Sequence, residues 1–308
     1  MKQNSLRQSR LRQGKTYRNR DWGFLIPALL CLGVFYYYPF IQSALYSFFR
    51  LEYTTDWLHA PFVGVQNYVA VLGSYEFWHS LRFTALFTLG AVALDLSLGM
   101  LLALSAYWIH PFFKTLLRII IIIPWAIPRV IQASIWRWMF NSDVGIVGTL
   151  LVRLGLAESP PLFLGEPALA LMSVVMAYVW KGASISAVFL MAGLASVPRE
   201  LQEASRIDGA GGMRRFFSVT VPVMAPTIVI AGLFRTRDAL RVFDVIIGLT
   251  GGGPGMATES LSTYAYRIYF DFNNYGIGSA YAVIIFIGVA VLSGLYIKRF
   301  LERFEFVK

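Results

Sequence analysis

The chain has 308 residues, of which 57% are hydrophobic and only 14% charged, with a formal net charge of +10 and a mean hydropathy of +0.59. Soluble globular chains carry about 25% charged residues, so this composition excludes an ordinary soluble domain and points to a polytopic membrane protein. The single cysteine, Cys31, falls in an apolar run, which leaves no internal disulfide and no thiolate metal site.

Residues 1–22 form a basic tail: positions 1–20 hold seven Lys/Arg and no acid before the chain turns apolar at Trp22. Next to a membrane span such a tail reads as a cytoplasmic anchor rather than a nucleic-acid arm. Gly14-Lys15-Thr16 lacks the earlier glycine and the preceding strand of a phosphate loop. The first apolar run is too long for the core of a cleavable signal and reads as the first span.

Apolar runs predict six transmembrane helices near 23–49, 83–107, 116–140, 168–194, 223–247 and 277–297, a permease-like body over 23–297 with a basic tail at 298–308. Each is long enough to cross roughly 30 Å of hydrocarbon at about 1.5 Å per residue. With the N-terminus inside, 17 basic residues fall on the inner side, against four outside (Arg50, Arg82, Arg153 and Arg267). This bias predicts both termini in the cytoplasm. In the outer segments, Gly145–Leu156 is too short to cross and reads as an interfacial helix. Thr250-Gly-Gly-Gly-Pro254 reads as a tight flexible turn.

Six basic residues (Arg129, Arg137, Lys181, Arg235, Arg237 and Arg241) and three acids (Asp95, Asp238 and Asp244) fall inside predicted spans. Such groups are costly in a bilayer and face protein or water. At 100° per residue, Arg237, Arg241 and Asp244 share a stripe of span five with Asp238 on its edge, while Arg235 lies off it. The stripe has two readings: a polar solute path, or pairing between helices that holds the subunit together. Arg129 and Arg137 read as structural or near-interface, Asp95 and Lys181 as pairing partners. Trp125, Trp136 and Trp138 read as packing more than as stacking platforms for a sugar. Pro124 and Pro128 loosen span three where a neighbour satisfies the freed carbonyls.

Between spans four and five lies a charged island, the loop 195–221. Ser196 is a candidate cap, Pro198 suits a first helical position, and Glu200 and Glu203 suit the positive end of a helix. Arg206 and Gly209 mark the helix end, and Asp208 is a candidate cap for a second short helix through about Phe217. No nucleophile motif is present, and His59, His79 and His110 are not at metal-ligand spacing, so neither catalysis nor a metal site is expected.

Glu203-Ala204-Ser205, Asp208-Gly209-Ala210, Phe216 or Phe217, Pro222 and Pro226 resemble the EAA loop of binding-protein-dependent ABC importer permeases, with Ser205 in place of the usual second alanine. Phe62-Val-Gly-Val-Gln-Asn-Tyr68 and the TGGGP turn resemble segments of the carbohydrate-uptake branch. The resemblance implies a type I importer permease fold and a prokaryotic inner (plasma) membrane location. It implies transport of a di- or oligosaccharide, a trehalose- or maltose-like α-glucoside first, by a chain that is not an enzyme.

The implied partners are a second homologous permease, an ABC ATPase dimer carrying the ATP and Mg, an extracytoplasmic solute-binding protein, membrane lipid and the carbohydrate. No cofactor is held by this chain and no nucleic acid is bound. Coupling to the ATPase is implied for Glu200, Glu203, Ala204, Ser205, Asp208, Gly209, Ala210, Arg214, Arg215 and Phe216. Arg237, Asp238, Arg241 and Asp244 are candidates for the substrate path. A polyol or glycerol-phosphate-type substrate, or an ion-driven secondary transporter without partners, remains the alternative.

Overall fold

In a computed structural model, residues 22–55 and 57–304 are described; the basic tail before Trp22 and the last four residues lie outside them. Among the described residues the chain is helical, with only isolated bridges at Phe49–Phe62 and Glu52–Asn274. It is a multi-pass membrane protein.

Helix α1 (Leu25–Tyr46) carries a π-helical segment at Gly33–Tyr37 and packs along the last helix, with Phe40 and Phe286 at a ring separation of 4.5 Å. The chain then doubles back through the segment Phe62–Tyr68 into α2 (Gln66–Gly73). The Asn67 amide donates to the carbonyls of Ser47 and Phe49, both at 2.9 Å, and the Tyr68 hydroxyl lies 2.6 Å from that of Ser47. The Phe-x-Gly-x-x-Asn-Tyr pattern is thus a clasp that satisfies the backbone where α1 ends.

Helix α3 (Tyr75–Trp108) starts eight residues before the predicted boundary, because the Ser74 hydroxyl accepts from the Phe77 N–H and caps it there. Helix α7 (Pro167–Ala195) lies against it through small residues, including Ala91, Ala177, Ala183 and Ala187. A Cβ on Gly99 would lie 2.6 Å from that of Ser186, so only glycine permits this approach.

The single span predicted at 116–140 is two helices, α4 (Pro111–Ala126) and α5 (Arg129–Met139), meeting at 95°. Ile127 is extended (ψ 128°), as a residue before proline is pushed to be, and Pro128 begins a new helix direction. The expected interfacial helix appears as α6 (Ile146–Arg153).

Past α7 come α8 (Arg199–Ile207) and α9 (Gly212–Leu240), the latter with a π-helical segment at Phe216–Thr220. The predicted continuous span 223–247 also breaks. Arg241 and Phe243 leave helical geometry (φ −112°, ψ 27° and φ −142°, ψ −66°), and α10 (Asp244–Leu249) follows as a separate short helix. Two further helices, α11 (Leu261–Tyr266) and α12 (Tyr275–Phe304), complete the bundle.

The TGGGP turn is buttressed rather than loose. The Thr250 and Thr258 hydroxyls lie 2.7 Å apart, Thr258 donates to the Gly253 carbonyl, and Arg267 donates to the Gly251 carbonyl while pairing with the fully buried Glu259 at 2.8 Å. A Cβ on Gly252 (φ 90°) would strike the Glu259 carboxylate. Ser260 ties this turn to the broken span by donating to the Val242 carbonyl at 2.8 Å.

Burial pushes the Glu259 carboxyl above its ordinary value, and the Thr263 hydroxyl and Arg267 oppose the shift. A carboxyl raised in the fold favours folding most below its unfolded value, and that contribution is lost as pH rises through the raised value. Glu259→Gln is therefore expected to flatten the fall in melting temperature as pH rises from the ordinary glutamate range towards neutrality. Identical pH profiles for the two proteins would refute this.

Candidate functional site

A cavity of about 310 Å³ opens where the two broken spans meet α7. It lies at the lower end of ligand-pocket volumes, about 300–1,000 Å³. Both breaks leave backbone carbonyls without helical partners, and Lys181 on α7 supplies donors: its ammonium donates to Trp125 O at 2.8 Å, to Pro124 O at 3.3 Å and to Ile127 O. Ser184, one turn further on, donates to Ile121 O at 2.5 Å, and Gln132 on α5 donates to Ala177 O. Lys181 thus replaces the backbone bond that Pro128 removes from the Pro124 carbonyl and satisfies the Trp125 and Ile127 carbonyls freed at the break.

Below the cavity lies a charged chain. Arg235 donates through Nε (2.7 Å) and Nη2 (2.5 Å) to Asp95 Oδ2 and through Nη1 (3.0 Å) to Asp238 Oδ2. Its guanidinium also lies 5.0 Å from the centre of the Tyr178 ring. Asp238 is the hub, receiving Arg235, Arg129 Nη2 (2.5 Å) and the Tyr178 hydroxyl (3.2 Å). Asp95 is fully buried and its Oδ1 has no protein partner.

At the cavity mouth the bonds loosen. Arg129 reaches Asp244 at only 3.5 Å, and the two side chains are 42% and 39% exposed. Asp244 opens α10, where a carboxylate suits the free N–H groups of the first turn. The floor is thus a closed ion-pair network and the rim an open one. Hydroxyl groups entering the cavity meet a carboxylate acceptor and a guanidinium fork whose directional bonds are only partly used.

The predicted stripe does not survive the helix break. Arg237, Asp238 and Asp244 line the cavity, but Arg241 lies at the break and faces another cavity, of about 410 Å³, beside Ser262 and Phe286. Arg129, Lys181 and Arg235, read from sequence as structural or off the stripe, line the cavity as well. Of the three tryptophans only Trp125 reaches it; Trp136 stacks on Phe140 in the core and Trp138 is exposed. Pro128 immediately before Arg129 was the available sequence signal, since it moves the arginine from mid-span to a helix start.

The charged loop is built differently from the expectation at its caps. Ser196 ends α7 and donates to the Gly193 carbonyl, so Pro198, not Ser196, precedes α8. Asp208 closes α8, and the second helix starts after Gly211 and runs without interruption into α9. Gly209 has φ 76°, with its N–H bonded to the Arg206 carbonyl and that of Ala210 to the Ser205 carbonyl, both at 3.0 Å. These are the paired bonds of a Schellman stop.

Glu200, Glu203, Ala204, Asp208 and Arg214 are exposed; Ser205, Ala210, Arg215 and Phe216 are half-buried. Beside them Ile207, Met213 and Phe217 are 87%, 73% and 62% exposed. Apolar side chains displayed on a polar loop form a surface shaped for contact.

Residues 96–305 match the family described as binding-protein-dependent transport system inner membrane component. The chain is 40% identical over 286 residues to the trehalose/maltose transport system permease protein MalF of Thermococcus litoralis, covering 92% of this chain and 94% of that one. It is 37% identical over 275 residues to the sulfoquinovosyl glycerol transport system permease protein SmoG of Agrobacterium fabrum, covering 89% and 88%. The fold matches a crystal structure of a bacterial ABC transporter involved in import of the acidic polysaccharide alginate, with a TM-score of 0.81 at 22% identity, covering 95% of this chain and 99% of that one.

Proposed function

The chain belongs to the binding-protein-dependent transport system inner membrane component family, a sugar ABC permease by its relatives, and from that premise we propose how it works. It is one of two homologous permeases of an ATP-driven importer in a prokaryotic plasma membrane, carrying a di- or oligosaccharide, with a trehalose- or maltose-like α-glucoside first among them. An ATPase dimer holding ATP and Mg docks on the α8 loop, and a solute-binding protein delivers the sugar from outside. Closure of the ATPases moves α8 and, through the uninterrupted α9, the wall of the cavity. The observation that carries this reading is the polar cavity at the junction of two broken spans, joined by one continuous helix to an exposed loop with apolar tips.

Within that cavity Asp244 accepts sugar hydroxyls and Arg129 donates to them. Asp244→Asn removes one charged acceptor, worth about 1.5–3 kcal/mol, and should raise the KM for uptake roughly ten- to hundredfold with a smaller change in kcat. Uptake of labelled trehalose by proteoliposomes containing the complete transporter measures both. ATP-dependent uptake with an unchanged KM would remove Asp244 from the path. Uptake by the chain alone, driven by an ion gradient without ATP, would replace the importer reading with a secondary transporter.

A second reading concerns charge. Arg237 lines the cavity without a carboxylate partner among the described residues. That favours a polyol phosphate or another anionic glycoside, and competition of trehalose uptake by glycerol phosphate distinguishes the two.

A further inference from the structure

At the end of the bundle that carries α8, a second polar cavity, of about 250 Å³, lies between the C-terminal ends of α3 and α7 and the first turns of α4. Three basic side chains line it, Lys114 and Arg118 from α4 and Arg199 from the first position of α8, and no acid does. None of the three has an ion-pair partner among the described residues. The remaining wall is mostly apolar (Ala106, Met191 and Val197), with the Tyr107 ring 5.5 Å from the Lys114 ammonium.

A positive-inside bias alone scatters basic residues over the loops at one face. Here Lys114 and Arg118, one helical turn apart on α4, converge on one hollow with Arg199 from a distant part of the chain, and a bound anion relieves their mutual repulsion. The turn beside the hollow shows what level it occupies. Trp108, Phe112 and Phe113 are 59%, 79% and 50% exposed on the outside of the bundle, the placing of aromatic side chains that sit at the headgroup level of a bilayer.

We propose that this cavity binds the phosphate headgroup of an anionic phospholipid, with Lys114, Arg118 and Arg199 as its ligands and the acyl chains running down the apolar outer surface of α4. Basic pockets between transmembrane helices suit such headgroups. Because Arg199 opens α8, the bound lipid braces the start of the exposed loop against α4. The site is separate from the sugar cavity and does not depend on which solute is carried.

The test uses the complete transporter in nanodiscs of phosphatidylcholine containing increasing phosphatidylglycerol, with bound lipid counted by native mass spectrometry after release. Wild-type transporter should retain phosphatidylglycerol. The combined Lys114→Gln, Arg118→Gln, Arg199→Gln variant should bind it on the order of a hundredfold more weakly, at about a fivefold loss per charge. The charge-keeping variant Lys114→Arg, Arg118→Lys, Arg199→Lys should retain it, which separates loss of charge from failure to fold.

Equal retention by the wild type and the neutral variant would overturn the proposal. So would displacement of the lipid by millimolar inorganic phosphate, which would make the hollow a site for a free anion. Retention only when the ATPase subunits are stripped away would assign the three basic residues to a protein contact instead.

Discussion

Replacing Asp95 with leucine is expected to destabilise the protein by about 3–5 kcal/mol, because it leaves Arg235 charged in a buried setting with one of its two carboxylates gone. Detergent-solubilised D95L should melt well below the wild type and yield little folded protein. The pair, however, is expected to serve organisation more than stability, since a buried ion pair replaced by apolar groups of similar volume is often neutral. D95L/R235M should therefore recover a near-wild-type melting temperature while transport stays low, because Asp238 loses the donor that holds it and Arg129 in place.

Gly182→Ala addresses the same pair sterically. A Cβ there would lie well inside contact distance of both Asp95 Oδ1 and Arg235 Nη2, so the ion pair itself would have to shift to admit it. Overpacking of this kind costs typically about 1–3 kcal/mol before the ion pair is displaced. Wild-type melting and uptake in D95L would show that the floor network is dispensable.

Gly209→Val is expected to reduce sugar uptake by an order of magnitude or more while the protein still inserts and folds. No atom lies within 4 Å of a Cβ built on Gly209, so the effect is conformational rather than a clash. At φ 76° a side-chain-bearing residue pays about 1–2 kcal/mol, and a β-branched one is the worst suited. Relieving that strain means opening the turn that sets α8 against the start of α9, with loss of the two capping bonds. The membrane-embedded core does not take part, so its melting temperature should hardly move. Gly209→Asn, which tolerates the left-handed region, should keep much of the transport. If G209V transports as well as G209N, the angle of this turn is not what transmits movement.

Much of the architecture was legible in the sequence, and for a simple reason. Crossing a bilayer demands a long apolar run with its backbone bonded internally, so α3, α7 and α12 follow from hydropathy alone. The EAA-like loop was legible because its parts are local: Gly209 stops α8 through bonds that span only a few residues. The caps were less secure, since Ser196 and Asp208 can each close one helix as readily as open another, and here both close one.

What hydropathy could not show is where an apolar run turns. The runs 116–140 and 223–247 look continuous, yet the first is two helices meeting at 95° and the second leaves helical geometry at Arg241–Phe243. A break is tolerated only if side chains of other segments satisfy the carbonyls it frees, and Lys181 and Ser260 do so from elsewhere in the sequence. The same holds for the charges. Periodicity placed Arg237, Arg241 and Asp244 on one stripe, a valid inference for an unbroken helix and void once Arg241 leaves it. Sequence by itself determined the class of protein, the number of apolar runs and the exposed loop, because hydration and local backbone geometry decide those. Only the tertiary structure decided which charges form the cavity, because an ion within a span needs a partner or water, and the partners of Arg235 and Arg129 are brought to them by the packing of α3, α5 and α9.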